Sequence, residues 1–365
     1  MSGQSPSAAH IATLDLLRLV AAMSVVVFHY FFRGAAADGY LAEGYPEAAA
    51  YAIYGYLGVN LFFLISGFVI AWSAEGSRDW ADFAVARFAR LYPGFVVAMT
   101  LTFVVVAVAG APEFQTSMAQ WGANLFMFAP ALGQPFMDGV YWSIVLEVIF
   151  YGWVALALFT GVFTRWKLEI VAVWLMIAAV NEFAVGSGAV RMLFVTEFAP
   201  LFAGGILFHH IFSRGASREV VALAATAFAI SCATMGVTQA WMRDHYGIAV
   251  PFAGLLVANA AIHALLWLAI ATRGMLAPSA LTLALGGLTY PLYLLHQNIG
   301  YLAINRLAPD TGKWTAAAIV IIAMLVVSWA IWRYVEMPSR RVVRAVGDRV
   351  LEMLRTAPAR LGRPG

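Results

Sequence analysis

About ten stretches of roughly twenty apolar residues follow one another between residues 11 and 335, with very little charge inside them. A helix that long spans the hydrocarbon core of a bilayer at about 1.5 Å per residue. The expected spans are 11–32, 52–73, 90–110, 141–161, 168–186, 192–212, 219–237, 248–271, 282–304 and 314–335. The whole chain is 62% hydrophobic and 11% charged. A soluble domain is about half apolar and about a quarter charged. The shortage of charge is spread along the sequence, which excludes a soluble domain carrying one anchor. Lipid therefore has to be the solvent for most of the chain, and backbone polar groups there must be satisfied within helices. The expectation is an all-α, polytopic membrane helix bundle.

The short polar lead followed by an apolar run with Asp15 and Arg18 reads as a retained signal anchor. Residues 1–340 are expected to form the transmembrane domain and 341–365 a basic cytoplasmic tail. No internal repeat and no second, soluble domain is visible. With the N-terminus inside, the inner loops carry Arg78, Arg87, Arg90, Arg165, Lys167, Arg214, Arg218 and Arg273, and the tail adds Arg340 to Arg363. The outer loops carry Arg33, Arg191, Arg243, Arg306 and Lys313. This asymmetry places both termini in the cytoplasm. It also puts the two longest loops, 33–51 and 111–140, outside. The positive charge sits at helix ends and in the tail, which suits anionic membrane lipids rather than nucleic acid. The single Cys232 excludes a disulfide framework and Cys-based metal sites.

Ionisable groups inside a membrane are costly, so each marks a candidate site. In the first helix Arg18 and His29 are eleven residues apart, which returns them to nearly the same face about 16 Å apart. Asp15 is an i,i+3 partner for Arg18, so a helix-end ion pair is the competing account of that cation. Asn60 and Ser66 place hydrogen-bonding groups in the second helix, where such residues also serve as packing glue. Arg87 and Arg90, at i,i+3, form two adjacent forks suited to phosphate. Cytoplasmic anchoring would produce the same pair. The segment from Tyr141 to Tyr151 presents Trp142, with Ser143 and Glu147 at i,i+4. Glu147 needs a cationic or imidazole partner, and His29 lies at a similar expected depth. Tyr290 and His296 lie in the ninth apolar stretch. No histidine pair has metal-ligand spacing backed by carboxylates, and no phosphate-binding glycine loop or Gly-x-Ser-x-Gly elbow occurs.

Taken in order, several segments resemble the acyltransferase-3 family. They are Asp15-x-x-Arg18 with His29, Phe62 to Phe68, and Arg87-x-x-Arg90-Leu-Tyr-Pro93. Tyr141-Trp-Ser-x-x-x-Glu147, Thr289 to His296 and Tyr334 to Pro338 complete the set. Leu19 stands where many members have glycine, and Glu147 is single where many show two acidic residues.

The resemblance implies a ten-helix enzyme of the bacterial inner membrane. It would move an acyl group, often acetyl, from cytoplasmic acyl-CoA to a hydroxyl of a sugar, glycan or lipid-linked acceptor, with no permanently bound cofactor and no metal. On that resemblance His29 is the leading catalytic residue, with Glu147 at the family's acidic position and Arg18, Arg87 and Arg90 on the donor side. Asp15, Asn60, Ser66, Trp142, Ser143, Tyr290 and His296 are expected around the site. His29 can act as general base or as nucleophile in an acyl-histidine relay. A glycan or lipid transporter or flippase, which also needs intramembrane charges, is the competing class.

Overall fold

The computed structural model describes residues 11–36 and 38–361. The first ten residues of the expected membrane domain and residues 362–365 of the tail lie outside them. Eleven long helices are used below: α1 Ala12–Phe31, α2 Gly58–Gly76, α3 Trp80–Ala109, α4 Trp142–Phe159, α5 Lys167–Val180, α6 Ala199–Arg214, α7 Arg218–Tyr246, α8 Phe252–Ala271, α9 Thr289–Thr311, α10 Lys313–Ile331 and α11 Met337–Leu361. No strand occurs among the described residues. Nine helical segments there are long and apolar enough to cross a membrane. The chain is thus an all-helical, multi-pass integral membrane protein.

The stretch expected over 282–304 departs from this pattern. It divides into Ala280–Gly287 and α9, and α9 is not among the nine apolar spans. It carries Thr289, His296, Gln297, Asn298, Asn305, Arg306 and Asp310. Every residue from Thr289 to Leu302 is buried. α9 contacts α10, α3 and α1 extensively. From Thr289 to Leu302 its solvent is protein rather than lipid, and a segment so enclosed can be polar wherever its neighbours satisfy it, while Arg306 and Asp310 lie at the exposed end.

Other boundaries shift for local reasons. α3 starts ten residues before the expected 90, because Asp79 caps it by accepting the Asp82 N–H at 2.9 Å. Its 30 residues extend about 45 Å, longer than the hydrocarbon core, and its first turns carry Asp82 and Arg87. Those turns pair with α11. Arg78 bridges Asp348 at 2.7 Å, Arg344 approaches Asp82 at 3.7 Å, and Arg355 pairs with Asp79. The boundary expected at residue 340 falls inside α11, which continues from α10 through a π-turn at Trp332–Glu336.

The tightest crossing joins α2 and α6. A Cβ at Gly67 would run into the Phe202 carbonyl oxygen, and one at Gly205 into the Leu64 carbonyl oxygen. Small residues let these backbones meet where lipid gives no hydrophobic drive. Phe63, Phe202 and Phe150 fill the space beside the crossing. This arrangement fixes α2 against the bundle and sets the positions of Asn60 and Ser66.

Candidate active site

Two cavities lie along α1, α2, α4 and α9. The first, about 390 Å³, is lined by His29, Arg33, Asn60, Trp142, Glu197, Trp241, Tyr246 and Tyr293, among others. The second, about 120 Å³, is lined by Arg18, Ser66, Arg87, Arg90, Ser143, Glu147, Tyr151, Tyr290 and Tyr293. Val59 and Tyr293 line both. The Arg18–His29 stripe expected on α1 is therefore shared out, with the cation in the small cavity and the imidazole in the large one. The reason is the eleven-residue spacing, which keeps the face while separating the two groups along the axis.

In the large cavity His29 is 5% exposed. Its Nδ1 is 2.8 Å from the Val25 carbonyl oxygen and 3.0 Å from His296 Nε2. Arg33, one turn further along, places Nη1 3.4 Å from His29 Nε2 and donates to Gln297 Oε1 at 3.1 Å. Asp38 holds the same guanidinium through Nε at 3.1 Å. The loop before α4 closes over this region. Asp138 accepts the Val140 and Asn298 N–H groups at 3.2 and 3.0 Å. Its burial pushes the carboxyl up to about 6 against the pull of those donors. Gly139 lies so close to Gln297 that a side chain there would displace it.

In the small cavity Glu147 accepts from Ser66 Oγ at 2.8 Å and from the Tyr151 hydroxyl. Ser143, Glu147 and Tyr151 recur at i,i+4 and share one face of α4. Ser143 Oγ lies 2.6 Å from the Tyr293 hydroxyl. Arg90 bridges Glu336 at 2.8 Å and stacks over Tyr290. Glu336, 1% exposed, is also held by Arg340 at 2.6 Å. Arg87 packs on the Phe83 ring, and its buried Nε has no hydrogen-bond partner.

Several expectations need correction. Glu147 does not orient His29: it lines the small cavity, and its oxygen is taken up by Ser66 and Tyr151. Trp142 lines the large cavity, so Glu147, five residues on, has already passed to the other side. Asp15 pairs with Arg18 at 3.2 Å and packs against Gly286, lining neither cavity. His296 also lines neither and lies behind His29. Asn60 and Trp142 line the large cavity, and Ser66, Ser143 and Tyr290 the small one.

Sequence reasoning missed Arg33, Glu197, Trp241 and Gln297. Arg33 had a signal, since i,i+4 from His29 is one helical face. Glu197 and Trp241 reach the cavity from α6's approach and α7, with no pattern linking them to α1.

A family model described as an acyltransferase domain matches residues 11–333. The chain belongs to the acyltransferase-3 family. Nodulation protein 10 of Rhizobium leguminosarum bv. viciae is 25% identical to this acyltransferase over 92% of the chain and 95% of its own length. The O-acetyl transferase of Shigella phage Sf6 is 37% identical over 24% of the chain and 25% of its own length. Acyltransferase MdmB of Streptomyces mycarofaciens is 27% identical over 40% of the chain and 38% of its own length. No solved structure matches. The protein is a membrane O-acyltransferase.

Proposed function

We propose that this acyltransferase takes an acyl group, acetyl in the first instance, from cytoplasmic acyl-CoA and places it on a hydroxyl of a sugar, glycan or lipid-linked acceptor. The observation carrying this reading is the division of one polar α1 stripe between two cavities that share Val59 and Tyr293. The small cavity is lined by three guanidiniums, Arg18, Arg87 and Arg90, against one carboxylate, Glu147. Guanidinium forks suit the phosphates of a CoA head, which is too charged to enter hydrocarbon. At about 120 Å³ the cavity is narrow, and an extended pantetheine arm fits it better than a ring does. The large cavity falls in the 300–1,000 Å³ range of small-molecule sites. Its indoles, Tyr246, Asn60 and Glu197 offer a ring-sized acceptor both apolar faces and hydrogen-bonding groups.

His29 Nε2 would take the proton of the acceptor hydroxyl as its oxygen attacks the thioester carbonyl carbon. The tetrahedral intermediate then expels the thiolate. His29 returns the proton to the sulfur, leaving an ester and free CoA. The Arg33 guanidinium beside Nε2 is placed to stabilise the charge on the former carbonyl oxygen. The basic inner face and tail favour a bacterial inner membrane with both termini cytoplasmic.

The test uses purified protein in nanodiscs with radiolabelled acetyl-CoA and a panel of hydroxyl acceptors. Acceptor-dependent thiol release with label recovered as an alkali-labile ester is expected. Label transferred to an amine, or thiol release with every hydroxyl acceptor excluded, would overturn the proposed acceptor chemistry.

A further inference from the structure

We infer that His296 is a positioning residue for His29, fixing its tautomer together with the Val25 carbonyl and sharing the charge that develops on its ring. This rests on the reading of His29 as the group that handles the hydroxyl proton.

His296 has no exposed surface and lines neither cavity, so substrate cannot reach it. Its Nδ1 lies 3.1 Å from the Leu292 carbonyl oxygen and 2.9 Å from that of Tyr293. Carbonyl oxygens only accept, so Nδ1 carries the hydrogen. In a neutral ring the lone pair is then on Nε2. That lone pair faces His29 Nδ1 at 3.0 Å. His29 Nδ1 is itself 2.8 Å from the Val25 carbonyl oxygen, so it too must carry a hydrogen and donate to both. The lone pair of His29 is thereby left on Nε2. Arg33 Nη1, which can only donate, approaches that nitrogen at 3.4 Å. The Val25, His296 and Arg33 contacts therefore agree on one tautomer, with the basic nitrogen turned to the cavity.

The spacing of the two rings is held from outside. The Tyr30 hydroxyl donates to the His296 carbonyl oxygen at 2.7 Å. Gly300 lies against the Tyr30 ring, where a Cβ would collide with it. These contacts lock α1 to α9 beside the pair. When His29 Nε2 takes up the hydroxyl proton, positive charge spreads to its Nδ1–H. That hydrogen already points at a neutral acceptor, so the attraction strengthens as the transition state forms. No proton passes to His296, and no charge has to be buried unpaired in the resting enzyme.

The test compares His296→Leu with His296→Gln in the purified full-length protein. A glutamine carbonyl can accept the His29 Nδ1–H, whereas leucine fills the space without an acceptor. Leucine is expected to lower kcat by roughly 10- to 100-fold, with KM for acetyl-CoA within about twofold. Glutamine should recover most of the rate. A packing role predicts the reverse order, because leucine suits a buried site better. Leucine as active as glutamine, or a loss confined to KM, would overturn the inference. Thermal midpoints accompany each variant, and His296→Met replaces leucine if that protein does not fold. His29→Gln is measured alongside. If it is active, the underlying reading fails. If it is inactive while His296→Leu is not, only the positioning role fails.

Discussion

At the residue scale, Arg87 and Arg90 look equivalent in the sequence but differ in their partners. Arg90 is committed to Glu336, which is almost wholly buried, whereas Arg87 keeps an unpaired Nε beside the small cavity. Arg87→Ala is therefore expected to weaken acetyl-CoA binding about tenfold, or about 1.4 kcal/mol, with a smaller fall in thermal midpoint than Arg90→Ala. Arg90→Ala should cost roughly 2 kcal/mol of stability as well, since Glu336 would retain only Arg340. Calorimetric titration and detergent melting curves separate the two effects. Equal loss of stability in both variants would refute the distinction. Arg33→Gln should lower kcat more than KM, because a guanidinium beside His29 Nε2 acts mainly on the charged intermediate. Steady-state kinetics checks this, and a change in KM alone would count against it. The stripe on α1 was legible because a charge or imidazole in an apolar helix stands out at once. The His29–Glu147 pairing was not, because depth alone does not say which partner is nearer. Ser66 and Tyr151 both donate to the Glu147 Oε1 locally.

At the scale of elements, the site depends on how α2 is pressed against α6. Gly67→Val or Gly205→Val would force these backbones apart, since each added side chain meets a carbonyl. The expected cost is about 1–3 kcal/mol, read as a lower thermal midpoint, with activity falling as Asn60 and Ser66 move. A valine variant with unchanged melting and activity would show that the crossing is not required. The apolar spans were readable from length and hydropathy alone. α9 was harder, because its burial in protein lets it carry His296, Gln297 and Asn298 without an apolar exterior. The early start of α3 depends on the Asp79 cap and the ion pairs from α11. Those pairs join residues more than 250 positions apart, beyond the reach of any local pattern.

At the scale of the molecule, the proposed cytoplasmic acyl-CoA donor goes with cytoplasmic termini and an external 111–140 loop. In a Cys232→Ser background, Ala131→Cys should react with an impermeant maleimide in intact cells. Arg349→Cys should react only after permeabilisation. The opposite pattern would invert the topology and the assignment of donor and acceptor sides. The central claim is that His29 handles the acceptor proton where the cavities approach one another. Its most direct test is the acetyl-transfer rate of His29→Gln in nanodiscs, measured on protein whose thermal midpoint matches wild type. Glutamine preserves size and hydrogen bonding but cannot take up the proton. The rate is expected to fall at least about 100-fold, the contribution typical of a general base. A folded His29→Gln enzyme that transfers acetyl at a near wild-type rate would contradict the account.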